Sequence, residues 1–311
     1  MSGETRWTLD DIPDLTGRRA LVTGVTSGIG ESTVLELARH GAEVILGARN
    51  PDKLEATIRR IEGEVPGAAL HPLEIDVSDL SSVHRAANQV DQPLHLLINN
   101  AGVMATPHQR TADGLELQMA TNYYGPFALT GLLFPRLVDS GDGRVVAISS
   151  QGSRMARRAP LDDPRDQSRR YGRWQAYFAS KLADLLFLFE LDRRCREQRV
   201  PVKGLAAHPG YSSTGLMGTG RNTGDRMRFT ATILQAVFAA VGQPASLGAL
   251  PTLMAATADL PGSTYIGPRG LLQMKGEPRI VSPRRLALDR EAQRRLWEIS
   301  EEATGVSFLD A

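Results

Sequence analysis

The feature that most constrains this chain is a rhythm. Apolar runs of strand length alternate with helix-period segments along its first two thirds. Residues 19–25 read as a strand and 30–40 as a helix, 43–48 as a second strand and 51–62 as a second helix. Strands at 70–76, 94–99, 144–149 and 202–207 follow, with helices at 80–90, 115–138 and 174–199 between them. Strands separated by helices do not pair as hairpins. They build a parallel sheet whose right-handed crossovers put helices on both faces. The predicted fold class is α/β, a doubly wound parallel sheet.

With 311 residues, 41% of them apolar, the chain can bury a sizeable core. It shows no long linker, internal repeat or low-complexity block, and its one charge-dense interruption is 154–173. A single domain over 1–311 is the economical reading, with a core at 18–210, a lid at 211–243, and C-terminal helices with a last strand at 244–311. Beyond Gly210 the rhythm breaks into helical patches at 230–241 and 245–258, a short strand at 264–266 and an amphipathic tail helix near 290–302. Gly215, Gly218, Gly220, Gly224 and Gly242 supply flexible points, so 216–243 is expected to move over a substrate. Within it, Met217, Met227, Phe229, Leu234, Val237 and Phe238 either line an apolar pocket or pack the lid onto the body, and packing is the default.

Charge excludes some partners. With 36 basic and 35 acidic residues the net charge is +1, so no overall field favours nucleic acid or an anionic membrane. The opening MSGETRWTLDDIPDLTGR has no apolar core and predicts no secretory signal. The most apolar stretches, 182–189 and 231–241, fall short of the roughly 20 residues that span a bilayer, and the first contains Asp184. A single cysteine, Cys195, cannot form an intrachain disulfide and fits a reducing cytoplasm, the expected location. Arg193, Arg194 and Arg196 around it could lower its pKa, but a passive, partly exposed helix thiol is the plainer reading.

The turn from first strand to first helix spells Thr23-Gly24-Val25-Thr26-Ser27-Gly28-Ile29-Gly30. Glycines there permit a tight turn and let the backbone approach a pyrophosphate, whose charge the helix N-terminus favours. The spacing is G-x-x-x-G-x-G rather than G-x-G-x-x-G, so alone it could be a structural turn. Its place at the head of a βαβ unit favours a dinucleotide site. At the end of the second strand a carboxylate would bind ribose hydroxyls, whereas an arginine accommodates a 2′-phosphate. Here the sequence reads Gly47-Ala48-Arg49-Asn50, and Asp52 follows Pro51, where it favours a helix N-terminus. Arg49 is either a solvated turn residue or a clamp on phosphate; beside the glycine-rich turn the clamp, and hence NADP(H), is the better reading.

A second motif, Tyr177-Phe178-Ala179-Ser180-Lys181, opens a strongly apolar helix. Its spacing places phenol and ammonium on one helix face. A phenol with an unperturbed pKa of about 10 is a poor acid or base at neutral pH, and a fixed cation nearby lowers that value by stabilising the phenolate. The pair suits proton transfer, although Y-x-x-x-K by itself also fits an exposed helix pair.

In combination and in order, these pieces resemble the short-chain dehydrogenase/reductase family, whose sheet is of Rossmann type. The T-G-x-x-x-G-I-G turn is followed by Asp76, then Asn99-Asn100-Ala101-Gly102, Asn122, Ser149-Ser150, Tyr177 and Lys181, and Pro209-Gly210 with Thr214 as P-G-x-x-x-T. The long spacing from Ser150 to Tyr177, Ser180-Lys181-Leu182-Ala183, Ala207-His208-Pro209-Gly210 and Leu296-Trp297-Glu298 are most similar to the retinol-dehydrogenase and protochlorophyllide-reductase-like branch. They extend the likeness over nearly the whole chain.

The resemblance implies an NADP-dependent oxidoreductase that moves hydride between nicotinamide and a carbonyl or alcohol. It makes Tyr177 the acid/base and Ser150 the holder of the substrate oxygen. Lys181 would bind the nicotinamide ribose and lower the phenol pKa, and Asn122 would support a water-linked proton relay. Cofactor contacts fall to Gly24, Thr26, Ser27, Gly28, Ile29 and Gly30, to Arg49, Asp76 and Val77, to Asn100, Ala101 and Gly102, and to Pro209, Gly210 and Thr214. No metal ligand set is read. Plainer roles exist for each residue: Asn122 as a helix residue bonded to a carbonyl, Ser150 in a turn, His208 bonded to backbone at a strand end. The combination favours the catalytic roles, and only His208 is left structural.

Membrane-bound retinol dehydrogenases carry an N-terminal hydrophobic anchor that this sequence does not show, and light-dependent protochlorophyllide reductases use cysteines that Cys195 cannot replace. Neither substrate is therefore assumed, and a lipophilic ketone, aldehyde or alcohol is the expectation. In 154–173, Arg154, Arg157, Arg158, Arg165, Arg169, Arg170 and Arg173 mix with Asp162, Asp163 and Asp166. That segment would meet an acidic substrate or, more simply, be a solvated and partly self-neutralised loop. The competing class is an NADP(H)-sensing or interaction module with little turnover. The intact Ser150, Tyr177 and Lys181 set discriminates against it, because a sensor need not keep proton-transfer groups. Nothing in the sequence points to one oligomeric state.

Overall fold

In β1 (Arg19–Thr23) successive side chains enter opposite cores: Leu21 packs on one side of the sheet, Ala20 and Val22 on the other. The same alternation runs through β4 (Leu96–Asn99), β5 (Gly143–Ile148) and β6 (Val202–Ala207). It is why these strands read as largely apolar runs, since both faces are covered. The computed structural model describes residues 6–166, 168, 170–210 and 243–309. Completing the sheet are β2 (Glu43–Ala48), β3 (Leu70–Glu74), β7 (Tyr265–Pro268) and β8 (Pro278–Ile280), in the order β3-β2-β1-β4-β5-β6-β7-β8.

On one face lie α1 (Gly28–Arg39), α2 (Pro51–Glu64) and α7 (Ala245–Thr257), which bury Leu37, Ile61 and Leu253. The other carries α3 (Leu80–Ala87), α5 (Gly125–Asp139), α6 (Arg173–Glu197) and α8 (Arg290–Thr304), with Val83, Phe127, Phe187 and Trp297 inside. This is a Rossmann-type doubly wound sheet. Among the described residues no helix is long and apolar enough to cross a membrane.

Several expectations need correction. The sheet is not wholly parallel, because β8 runs antiparallel to β7. Three residues, two of them exposed, carry no periodic signal by which β8 could be read. The helix expected over 115–138 is three pieces: α4 (Leu117–Met119), a π turn (Ala120–Tyr124) and α5. Such widened turns recur at functional sites, and this one contains Asn122. The third helix stops at Ala87 rather than 90, and β7 spans Tyr265–Pro268 rather than 264–266. Cys195 is fully buried, not partly exposed, and burial drives its thiol pKa up to about 12. Its arginine neighbours point elsewhere around the helix, Arg193 and Arg194 to Glu190 and Arg196 to Asp192. The helical patch at 230–241 and the lid at 211–243, Gln243 apart, lie outside the described residues.

The C-terminal end of the chain closes the second core. The Trp297 ring stands 5.2 Å from Phe127, 5.8 Å from Phe187 and 4.6 Å from Phe308, centroid to centroid. Arg194 lies 4.5 Å over its face, where the ring quadrupole attracts a cation. Gly131 admits this cluster, since a Cβ there would come within 2.6 Å of Phe308. Trp297→Ala should cost about 3–5 kcal/mol through lost burial and the cavity left behind. Denaturant unfolding would show this as a lower midpoint, and a midpoint equal to wild type would contradict the central role of the cluster.

Candidate active site

β1 and β4 are neighbours although three strands apart in sequence, so the chain winds away in opposite directions from the pair. That divergence opens a crevice at the C-terminal strand ends, where open α/β sheets bind ligands. The cleft there measures about 1690 Å³. This exceeds the roughly 300–1,000 Å³ typical of a site for one drug-sized ligand.

Its floor is two turns pressed together. The Thr23 hydroxyl accepts the N–H groups of Asn100 and Ala101, each at 3.1 Å, while the Asn100 amide donates to the Thr23 and Gly24 carbonyls at 2.8 and 3.0 Å. Gly24 sits at φ +73°, and a Cβ on it would meet the Ala101 Cα at 2.7 Å. A Cβ on Gly30 would come within 2.3 Å of the Gly24 carbonyl oxygen. Only glycine fits at either position. Thr26, Ser27, Ile29 and Gly30 line the cleft where α1 begins, and the unpaired N–H groups of a first helical turn favour an anion.

At one end, Arg49 follows β2 with its side chain 71% exposed and 3.8 Å from the Asp76 carboxylate. Asp76 is held by Ser78, whose N–H and hydroxyl donate to it at 2.9 and 2.6 Å. Val77 and Gly102 also face the cleft. At the other end lie Ser150, Tyr177 and Lys181. Ser150 accepts the Gly152 N–H at 3.0 Å, which curls the following turn. A Cβ on Gly152 would press to 3.1 Å from the Tyr177 ring, so this turn sits directly on the phenol. Ser149 donates to the Lys181 carbonyl at 2.6 Å, tying β5 to α6.

Asn122 is fully used. Its Oδ1 accepts the Val103 N–H at 2.8 Å, and its Nδ2 donates to the Val103 carbonyl at 3.0 Å and to Ser180 at 2.9 Å. Ser180 donates in turn to the Tyr177 carbonyl at 2.8 Å. Asn122 therefore joins the turn after β4 to the helix that carries Tyr177. Pro209 and Gly210 line the cleft beyond β6, and Thr214 lies outside the described residues.

Residues that sequence reasoning did not single out complete the walls. Met104, Met155, Trp174, Phe178, Leu272 and Met274 make much of the lining apolar. Gln273, from the loop between β7 and β8, accepts from Gln151 at 2.6 Å and meets His208 Nε2 at 3.0 Å. Gln243 donates to the Pro209 carbonyl at 2.7 Å and accepts the Gly276 N–H at 3.1 Å. Isolated glutamines at these separations give no local pattern. In the basic loop, Arg158 pairs with Asp162 at 2.6 Å and Arg165 donates to the Asp113 and Ala303 carbonyls. Arg154 donates to the Ser282 carbonyl and also lines the cleft.

A family model for short chain dehydrogenases matches residues 18–161. Human retinol dehydrogenase 13 is 36% identical over 93% of this chain and 85% of its own length. The chain belongs to the short-chain dehydrogenase/reductase family. Within that family of oxidoreductases it falls in the retinol-dehydrogenase-like branch. A crystal structure of an uncharacterised Mycobacterium paratuberculosis protein, 40% identical, covers 98% of this chain and 99% of its own with a TM-score of 0.80. A Burkholderia phymatum short chain dehydrogenase/reductase in complex with NAD, 21% identical, shares the fold over 78% of this chain and 86% of its own at a TM-score of 0.61.

His208 carries a pH signature. Its Nδ1 accepts the Gly210 N–H at 3.2 Å, which leaves the proton on Nε2 facing Gln273. Burial lowers its pKa from the ordinary 6.5 to about 4. The unfolded chain takes up a proton below pH 6.5 that the folded protein refuses until about pH 4, so stability falls as pH drops through that window. The ceiling on this loss is roughly 3 kcal/mol. Wild type should therefore lose more stability between pH 7 and pH 4 than His208→Gln. Equal losses in denaturant titrations at the two pH values would show that His208 is not held neutral.

Proposed function

We propose that this protein is an NADP(H)-dependent oxidoreductase interconverting a small, lipophilic carbonyl compound and its alcohol. In this reading the chain is one domain, with 18–210 binding cofactor and performing catalysis and 211–243 covering the substrate. The observation that carries it is the meeting, in one cleft, of the glycine cradle, an exposed arginine after β2, and the Ser150, Tyr177 and Lys181 side chains. The cradle suits a dinucleotide, because the close packing that Gly24 and Gly30 permit brings the first turn of α1, with its unpaired N–H groups, to the cleft. Bound nicotinamide would supply or accept the hydride.

The remaining chemistry belongs to the chain. Gly24, Thr26, Ser27, Gly28, Ile29 and Gly30 hold the pyrophosphate at the start of α1, and Arg49 turns from Asp76 to a 2′-phosphate. Asp76 and Val77 bound the adenine end; Asn100, Ala101 and Gly102 run along the cofactor; Pro209, Gly210 and Thr214 hold the nicotinamide end. In reduction Ser150 holds the carbonyl oxygen while Tyr177 donates its proton to it. Lys181 binds the ribose and stabilises the phenolate left behind, and Asn122 keeps the relay geometry. The apolar lining and the likeness to a retinol dehydrogenase both support a lipophilic substrate. A cytoplasmic site of action is part of the same reading.

Screening NADPH oxidation against ketones, aldehydes and quinones tests the function. Turnover supports an enzyme, and tight NADPH binding without turnover of any compound would favour the sensing module. Arg49→Ala should weaken NADP(H) by about 1.5–3 kcal/mol, the worth of a charged hydrogen bond, and leave NAD(H) little changed. Equal losses in paired titrations would count against the phosphate clamp.

Tyr177→Phe removes only a hydroxyl, so NADPH affinity should stay near wild type while turnover falls by about 10²–10⁴. Lys181→Ala should lower affinity as well as turnover. Full turnover by Tyr177→Phe at saturating NADPH would falsify the mechanism, whereas full affinity in Lys181→Ala would remove only the ribose contact.

A further inference from the structure

Asp184 has no part in the reading above, yet it lies under the reactive pair. It interrupts the apolar run 182–189 of α6 and is 2% exposed. Its Oδ2 accepts from Lys181 Nζ at 3.0 Å, one helical turn back. The same ammonium donates to the Ile148 carbonyl at 2.7 Å, and it too is buried. Two of its three protons thus have fixed acceptors at the rear of the cleft. The front faces Gly102, where a Cβ would stand 3.8 Å from Nζ.

A cation so enclosed would shed its proton readily without a counter-charge, because burial disfavours the charged form and a neighbouring anion favours it. An apolar residue at 184 would have continued the run and avoided burying a carboxylate. We propose that Asp184 is a positioning residue that clamps Lys181 against the Ile148 carbonyl, keeps its ammonium charged, and presents its third N–H to the cleft. The inference rests on Lys181 being the ribose ligand and the partner of Tyr177. Among the described residues, the titratable groups facing Asp184 are Lys181 on its own helix, Tyr123 from the π turn and Tyr265 from β7. Burial raises the pKa of both of these tyrosines, so the two phenols stay neutral beside it, and among the described residues facing Asp184 the cation is Lys181. Burial pushes the Asp184 carboxyl up, and the Lys181 ammonium opposes that rise.

Asp184→Asn keeps the shape and an acceptor for Nζ and removes only the charge. NADPH dissociation constants measured by nucleotide fluorescence from pH 6 to 10 should begin to rise at lower pH in Asp184→Asn than in wild type. The alkaline limb of carbonyl reduction should move the same way, with Tyr177→Phe as the inactive control. A residue that merely fills space would shift thermal stability and leave both pH profiles in place. A folded Asp184→Asn protein whose NADPH binding profile superimposes on wild type overturns the proposal. Asp184→Ser, also uncharged, carries the same two outcomes if Asn is not tolerated. A shifted binding profile in a protein that turns over no carbonyl would uphold Asp184 and sink the enzymatic reading, while ordinary turnover with an unshifted profile would do the reverse.

Discussion

The site depends on how closely the turns after β1 and β4 approach one another. Where a Cβ on Gly24 would stand 2.7 Å from the Ala101 Cα, contact is made backbone to backbone, and Thr23 and Asn100 secure it with four hydrogen bonds. This lock lies at the point where the winding of the sheet reverses, so it sets the depth of the crevice there. A side chain at either glycine would force the two strand ends apart and displace α1 with them. Everything assigned to the phosphate end of the cleft rests on that spacing.

The opposite end is organised by α6 and by what leans on it. Ser149 binds the Lys181 carbonyl, Gly152 lets the turn after Ser150 lie on the Tyr177 ring, and Asn122 reaches Ser180 from the widened helical turn. Two segments far apart in sequence, 149–152 and the widened turn at Asn122, thereby fix one helix in rotation and in height. Phenol and ammonium cannot drift relative to Ser150 unless several of these bonds break together. Preorganisation of this kind is what proton transfer between fixed groups requires.

Much of this was legible in the sequence. The strand runs 43–48 and 202–207 matched the observed strands because burial on both faces leaves each only one charged residue, Glu43 and Lys203, near its start. The motifs around Gly24, Asn100, Ser150 and Tyr177 converge on one cleft. Other features left no trace. β8 is three residues set by pairing with β7, and the π turn inserts a bulge that helical periodicity cannot register. Gln273, Gln243 and Asp184 act through partners tens of residues away or inside an apolar run, where residue type alone says nothing of geometry. The passive thiol read at Cys195 stands against activation by its arginines, which helical phase turns to Glu190 and Asp192, but the partial exposure read with it does not, since the sulfur lies in the core.

That buried sulfur has a practical side. The molecule contains one thiol, enclosed by the second core, where burial drives its pKa up to about 12. Alkylating reagents attack thiolates that solvent can reach, and the folded protein offers them none at this position. Labelling of Cys195 therefore waits for the core packed around α6 to open. Its rate is a clock for that opening, read by mass, with no engineered probe and no signal from any other residue.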